Sequence, residues 1–135
     1  MTTRRDFLKT TAAATAVAAF AGAGQVMASG AAPYAGVVYT KDNPGKWAQK
    51  VGSHAPKVTV ASGKAQIVTE HGQSEKHFIV RHTLVQEDGT VIGAKTFSPA
   101  DKPESTFDIP AGYKGKLYAT SFCNLHDFWL TELSV

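Results

Sequence analysis

Cys123 and His126, separated by Asn124 and Leu125, join a soft sulfur donor to an imidazole at a spacing that lets both reach one metal ion. Cys123 is the only cysteine of the chain, so it cannot close an internal disulfide. His54, His71 and His77 lie upstream, and together these residues offer one sulfur and four imidazole nitrogens to a single ion. That donor count points to an iron site.

The elements that must position these side chains read as strands. From Lys57 onward the sequence consists of short alternating or β-branched segments separated by turn residues, the pattern of an all-β sandwich. Lys57–Ala61 and Ala65–Thr69 flank a turn at Ser62-Gly63. Phe78–Gln86 and Thr90–Phe97 flank Asp88-Gly89, a hairpin signal because both positions tolerate positive φ. Thr106–Ile109, Lys116–Phe122 and Phe128–Leu133 follow, for about seven strands, and no long stretch has helical period. Residues 29–53, rich in glycine, proline and polar side chains, read as an irregular arm whose only strand-like run is Val37-Val38-Tyr39.

On this frame His54 precedes the first core strand in a loop stiffened by Pro56. His71 sits in the turn after the second strand, and His77 opens the third. Cys123 and His126 occupy the connection between the last two strands. All five fall at strand ends or in loops, where sites on rigid β scaffolds are built. His82 serves as an internal control. Counting by twos from His77 groups Ile79 and Arg81 on one face and Phe78, Val80, His82 and Leu84 on the other, which turns His82 away from His77 unless a bulge intervenes. It is therefore left out of the metal site and read as a core-edge or surface residue.

The first residues set the compartment. Thr3-Arg4-Arg5-Asp6-Phe7-Leu8-Lys9 is a twin-arginine export motif, followed by an alanine-rich run from Thr10 to Ala23 that is shorter than the roughly 20 apolar residues of a membrane span. Val26-Met27-Ala28 supplies a cleavage site after Ala28, so residues 1–28 are read as a cleaved signal peptide rather than a membrane anchor. This route exports proteins already folded. Loading a metal before export avoids competition from copper and zinc, which bind nitrogen and sulfur donors more tightly than iron does. The mature chain of about 107 residues suits one domain, taken as the iron-binding sandwich 54–135 behind its arm. Loss of the signal leaves 11 basic against 10 acidic residues, and no basic stripe with interleaved aromatics supports nucleic-acid binding.

These residues resemble the superoxide reductase family, which includes the neelaredoxins and the catalytic domain of desulfoferrodoxin, over nearly all of the mature chain from about Trp47. His54-Ala55-Pro56 is similar to the family's first ligand with its following proline. Glu70-His71 and His77-Phe78-Ile79 are similar to its second and third. Gly112-Tyr113-Lys114-Gly115-Lys116-Leu117-Tyr118-Ala119, leading into Cys123-Asn124-Leu125-His126-Asp127-Phe128-Trp129, is the strongest match. The resemblance implies an immunoglobulin-like sandwich carrying a mononuclear, square-pyramidal non-haem iron (Fe2+/Fe3+). Its equatorial ligands would be His54, His71, His77 and His126, and its axial ligand Cys123. The implied reaction joins superoxide, one electron and two protons into hydrogen peroxide.

The absence of further cysteines excludes the extra four-cysteine iron domain that some family members carry. Electrons would then come from an external periplasmic donor, and family analogy suggests a homo-oligomer, a tetramer or dimer. The family commonly has Glu-Lys immediately before the first histidine, where this chain has Gly52-Ser53. Lys50, Lys57 and Lys76 could return the missing positive charge, with Lys76, adjacent to His77, the first choice as catalytic residue. The same departure sustains an alternative: a periplasmic electron-transfer or redox-binding protein with the same centre but little superoxide activity. No glutamate stands at the family's carboxylate position, and Glu70 and Glu75 are the acidic residues near ligands in sequence.

Overall fold

The computed structural model describes residues 34–135; the signal peptide, its cleavage point after Ala28 and the start of the arm lie outside the described residues. Strands β1 (Val38–Tyr39), β2 (Lys57–Ala61), β3 (Lys64–Val68), β4 (Ile79–Gln86), β5 (Val91–Thr96), β6 (Glu104–Asp108), β7 (Lys116–Cys123) and β8 (Asp127–Ser134) make two sheets, ordered β1-β8-β7-β4-β5 and β2-β3-β6. Neighbouring strands are antiparallel except β1, which runs parallel to β8. The all-β sandwich expected from the strand pattern is present. The strand beyond the expected seven is β1, within the segment read as an irregular arm. Tyr39 anchors it: fully buried, with its ring 5.6 Å from that of Trp129 and its hydroxyl donating to the Gly36 carbonyl at 2.8 Å. A 3-10 segment, Gly45–Lys50, and one helical turn, α1 (Val51–His54), complete that segment and deliver His54.

Period-2 alternation decides what reaches the metal end. On β7, Leu117, Ala119, Ser121 and Cys123 are buried, while Lys116, Tyr118, Thr120 and Phe122 are not. On β3, Ala65 and Ile67 are buried, and Thr69 continues the row past the strand end. The core between the sheets is formed by Ala65, Ile67, Leu84, Leu117 and Ala119. Followed outward, the β7 row ends at Cys123, and the β3 row passes Thr69 to reach His71.

Between the apolar core and that end lies a polar layer. Thr69 Oγ1 is 2.8 Å from His82 Nε2 and 2.9 Å from Ser121 Oγ, and His82 Nδ1 is 2.9 Å from Ser105 Oγ. His82, Thr69 and Ser121 are wholly or almost wholly buried, so their hydrogen bonds to one another and to Ser105 replace those they would make to water. His82 is thus an interior residue that ties its own strand, β4, to Ser105 on the opposite sheet, not a core-edge or surface one. A bulge also overturns the face assignment from counting by twos. Ile79 pairs with Cys123 and Arg81 with Phe122, so Val80 is the extra residue and Ile79 falls on the same buried side as His82 and Leu84.

The turns follow their residue chemistry. Ser62 and Gly63 take φ of 50° and 71°, the two left-handed positions that a tight β2–β3 hairpin needs. Gly93 is constrained by contact, because a Cβ there would lie 2.3 Å from Cδ1 of Phe107 on the opposite sheet. Gly93→Ala is expected to cost about 1–3 kcal/mol in urea unfolding through this overpacking.

Candidate metal centre

Four imidazoles close into a ring at one end of the sandwich. Ring centroids are 4.7 Å apart for His54–His71, 4.4 Å for His71–His77, 4.7 Å for His77–His126 and 4.6 Å for His126–His54. Each neighbouring pair meets edge to face, whereas His54 and His77, across the ring, are 5.9 Å apart and near parallel at 22°. One donor atom from each of His54, His77, Cys123 and His126 falls within 4.8 Å of all the others. His71 joins them through His77, with 3.0 Å between their Nε2 atoms. His77 Nε2 is also 3.0 Å from His126 Nδ1, which lies 3.6 Å from Cys123 Sγ. All five residues singled out in the sequence are therefore neighbours in space.

Each is held by a local device. The β7–β8 loop runs from Cys123 to its register partner Asp127, whose φ of 65° turns the chain back and brings His126 over the cysteine. Asn124 fastens this loop to the His77 segment: its backbone N–H donates to the Phe78 carbonyl at 3.2 Å, its Oδ1 accepts from Phe78 N–H at 3.0 Å, and its Nδ2 donates to the Lys76 carbonyl at 3.0 Å. Ser74 and His77 exchange backbone hydrogen bonds of 2.9 and 3.1 Å, closing the turn before β4. Trp47 packs its edge on His126 at 4.6 Å and donates Nε1–H to Asp127 Oδ2 at 3.2 Å. Trp129 lies beneath His54 and donates to the His126 carbonyl at 3.0 Å.

Protonation states favour a cation. Burial, followed by the charges of neighbouring imidazoles, pushes His54 down from 6.5 to about 4, and burial is also the main force lowering His71 and His126. Neutral imidazoles with inward lone pairs are what a metal requires. Burial pushes the Cys123 thiol up, opposed by backbone N–H donors from Leu125 and His126 aimed at the sulfur. A positive ion beside it supplies the charge that makes the thiolate favourable. His54 gives the most direct indication of fit. Its ring is 2% exposed, its Nδ1 is 2.8 Å from Ser53 Oγ, and its Nε2 has no hydrogen-bond partner among the described residues. The Ser53 hydroxyl donates to the Lys50 carbonyl at 3.3 Å and so accepts from Nδ1–H, leaving the Nε2 lone pair buried and unused. An orphaned buried acceptor of this kind costs about 1–3 kcal/mol, a penalty that coordination removes.

The lysines differ in reach. Lys50 depresses His71 and His126 and helps hold Cys123 down, so its charge acts across the centre. Lys76 is exposed beside His77 and anchors the Cys123 loop through its carbonyl. Glu70 pairs with Lys57 at 2.8 Å on the surface. Sequence reasoning missed Ser53 and Gln73 as partners of His54 and His71, and Trp47 as the wall of His126. Only Trp47, a large apolar residue within a polar segment, carried a signal that could have exposed it.

Fold and site together define a β-sandwich protein that gathers four imidazoles and one buried thiol at one end, a donor set that could hold a metal ion. Residues 46–132 match the sequence profile of the desulfoferrodoxin family, and the chain belongs to that family. Residues 1–21 match a twin-arginine translocation signal sequence, which marks the chain for export. The chain is 33% identical over 88 residues to the superoxide reductase of Thermococcus kodakarensis, covering 58% of this chain and 74% of the relative. It is 41% identical over 76 residues to the desulfoferrodoxin of Nitratidesulfovibrio vulgaris, covering 56% of this chain and 52% of that protein. Among solved structures, the superoxide reductase (neelaredoxin) of Ignicoccus hospitalis superposes with a TM-score of 0.63 at 25% identity, over 77% of this chain and 98% of the other. The superoxide reductase of Giardia intestinalis, at 21% identity and a TM-score of 0.56 over 62% of this chain and 98% of the other, has a similar fold.

Proposed function

We propose that this chain is a superoxide reductase, with His54, His71, His77, His126 and Cys123 holding one iron ion. The observation that carries the reading is the closed ring of four imidazoles over a buried thiol, with the His54 Nε2 lone pair unpartnered. Iron, when bound, supplies a one-electron Fe2+/Fe3+ couple. The protein supplies access and charge. Cys123 is fully buried while His71, His77 and His126 are partly exposed, so a small anion approaches from the imidazole side and the sulfur stays shielded. The net reaction takes superoxide, one electron and two protons to hydrogen peroxide.

A lysine attracts the anion in this scheme. Lys76 is the residue favoured by its place beside His77, and Lys50 has the stronger electrostatic support because its charge bears on three of the donors. Lys50→Ala is expected to lower the second-order rate with superoxide about tenfold at low ionic strength, with the difference shrinking as salt is added. The opposite ranking, with Lys76→Ala the more damaging, assigns the role to Lys76. We further propose that residues 1–28 are removed and that the mature protein works in the periplasm as a homo-oligomer supplied by an external donor. Among the described residues, no helix is long and apolar enough to cross a membrane. Iron loading tests the assignment: one iron per chain and a visible band on oxidation support it, while a colourless protein that oxidises no faster than free iron contradicts it.

A further inference from the structure

Gln73 lies in the loop between His71 and His77, and its side-chain amide is bound at both ends. Its Oε1 accepts from the Ile79 backbone N–H at 2.8 Å, and its Nε2 donates to the Ile79 carbonyl at 3.3 Å. This two-point pairing with one backbone residue settles which end of the amide is oxygen, because only an oxygen can accept from Ile79 N–H. The same Oε1 is 3.1 Å from His71 Nδ1. An amide oxygen cannot donate, so His71 Nδ1 must carry the proton, and Nε2, the atom 3.0 Å from His77 Nε2, is left with its lone pair facing the centre. Ile79 is itself fully buried, paired in register with Cys123 and packed in one apolar cluster with Cys123 and Phe97. The acceptor for His71 is therefore mounted on the strand residue that faces the sulfur donor.

We infer that Gln73 is a positioning residue that fixes His71 as the Nε2 donor of the metal centre and couples its orientation to the Ile79–Cys123 rung. The inference rests on the metal-site reading above and goes beyond it by naming what holds the His71 imidazole in place. Ser53 serves His54 in the same way, but from the preceding residue and without a link to the sulfur strand. Acceptors on the outer nitrogen of a ligating histidine fix its tautomer and raise its basicity, and their loss lowers metal affinity about 10- to 100-fold.

The test compares the parent protein with Gln73→Ala and Gln73→Glu, in metal-free and iron-loaded forms. In metal-free protein above the imidazole titration range, long-range 15N–1H NMR should show His71 as the Nδ1–H tautomer, the reverse of a free histidine's preference. Gln73→Ala should lose that preference, and Gln73→Glu, which keeps an acceptor oxygen, should retain it. In iron-loaded protein, chelator competition should show affinity falling about 10- to 100-fold in Gln73→Ala and much less in Gln73→Glu. The carboxylate of Gln73→Glu should also shift the midpoint potential to more negative values by making the imidazole more electron-rich. A packing role alone would move neither the tautomer nor the potential. An Nε2–H tautomer for His71 in the parent, or iron binding by Gln73→Ala as tight as the parent's, overturns the inference. None of these readouts uses superoxide, so a protein that passes them and fails to reduce superoxide would sink the functional reading and leave Gln73 in its role.

Discussion

Cys123→Ser is expected to abolish the visible band of the oxidised, iron-loaded protein and to slow superoxide reduction by at least about 100-fold, the upper range for losing even an outer-shell partner of a metal ligand. Such a band would arise from sulfur-to-iron charge transfer, which has no counterpart in a hydroxyl. The rate should fall because a Cys123 thiolate would push electron density onto bound iron, as thiolates do in thiolate-ligated haems, and a neutral serine would not. The fold should survive. Ser121 already places a hydroxyl at the preceding inward position of β7, and position 123 lies at the end of that strand, next to the loop. A buried serine lacking a partner costs about 1–3 kcal/mol, short of unfolding a domain of ordinary stability. Circular dichroism and the absorption spectrum check both halves. A variant that keeps the band would place the sulfur outside the centre.

The second large effect concerns the polar layer beneath the candidate metal centre. His82 is held neutral because burial, reinforced by the charge of Lys95, pushes it from 6.5 to about 4. Among the described residues Lys95 is the only charged group contributing to this shift, and its Nζ donates to the Glu104 carbonyl at 3.0 Å. Between these two values the unfolded chain binds a proton at this residue and the folded chain does not, so stability rises with pH across that window and falls as pH drops through it. The group contributes no pH dependence above 6.5 or below about 4. The full loss on acidification is about 3 kcal/mol. Urea unfolding of metal-free protein at several pH values should show the parent losing that much more than His82→Gln between pH 7 and pH 4. The remaining ionisable groups are common to both proteins, so their contributions cancel in the comparison. Equal acid sensitivity in the two would mean that His82 takes up its proton in the folded state without penalty.

Much of this molecule was legible because the strands announce themselves. β2 occupies the residues expected of it, and the other core strands depart by no more than about two residues, within the usual uncertainty of element ends. Alternation along β7 and the turn residues at Ser62-Gly63 and Asp88-Gly89 carry that information locally. The donors were legible for a related reason, since a lone cysteine and histidines at strand ends have few structural uses in combination. The bulge at Val80 was not legible. It depends on how β4 meets β7, a pairing between residues far apart in the chain, and it moved Ile79 to the buried side with His82. The strand-like run Val37-Val38-Tyr39 was legible, but its place beside β8 was not, because β1 is only two residues long and is anchored by Tyr39 packing on Trp129. Ser53 and Gln73 carry common polar side chains whose roles exist only once the imidazoles are assembled.

Pulse radiolysis of reduced, iron-loaded protein, with product analysis, separates superoxide reduction from the other chemistries such a centre could carry. The iron should oxidise rapidly, with one hydrogen peroxide formed for each superoxide consumed and no release of dioxygen. Dioxygen appearing alongside peroxide would identify a dismutase, and an intact iron centre that leaves superoxide unreacted would identify an electron-transfer protein; either result would contradict the assignment.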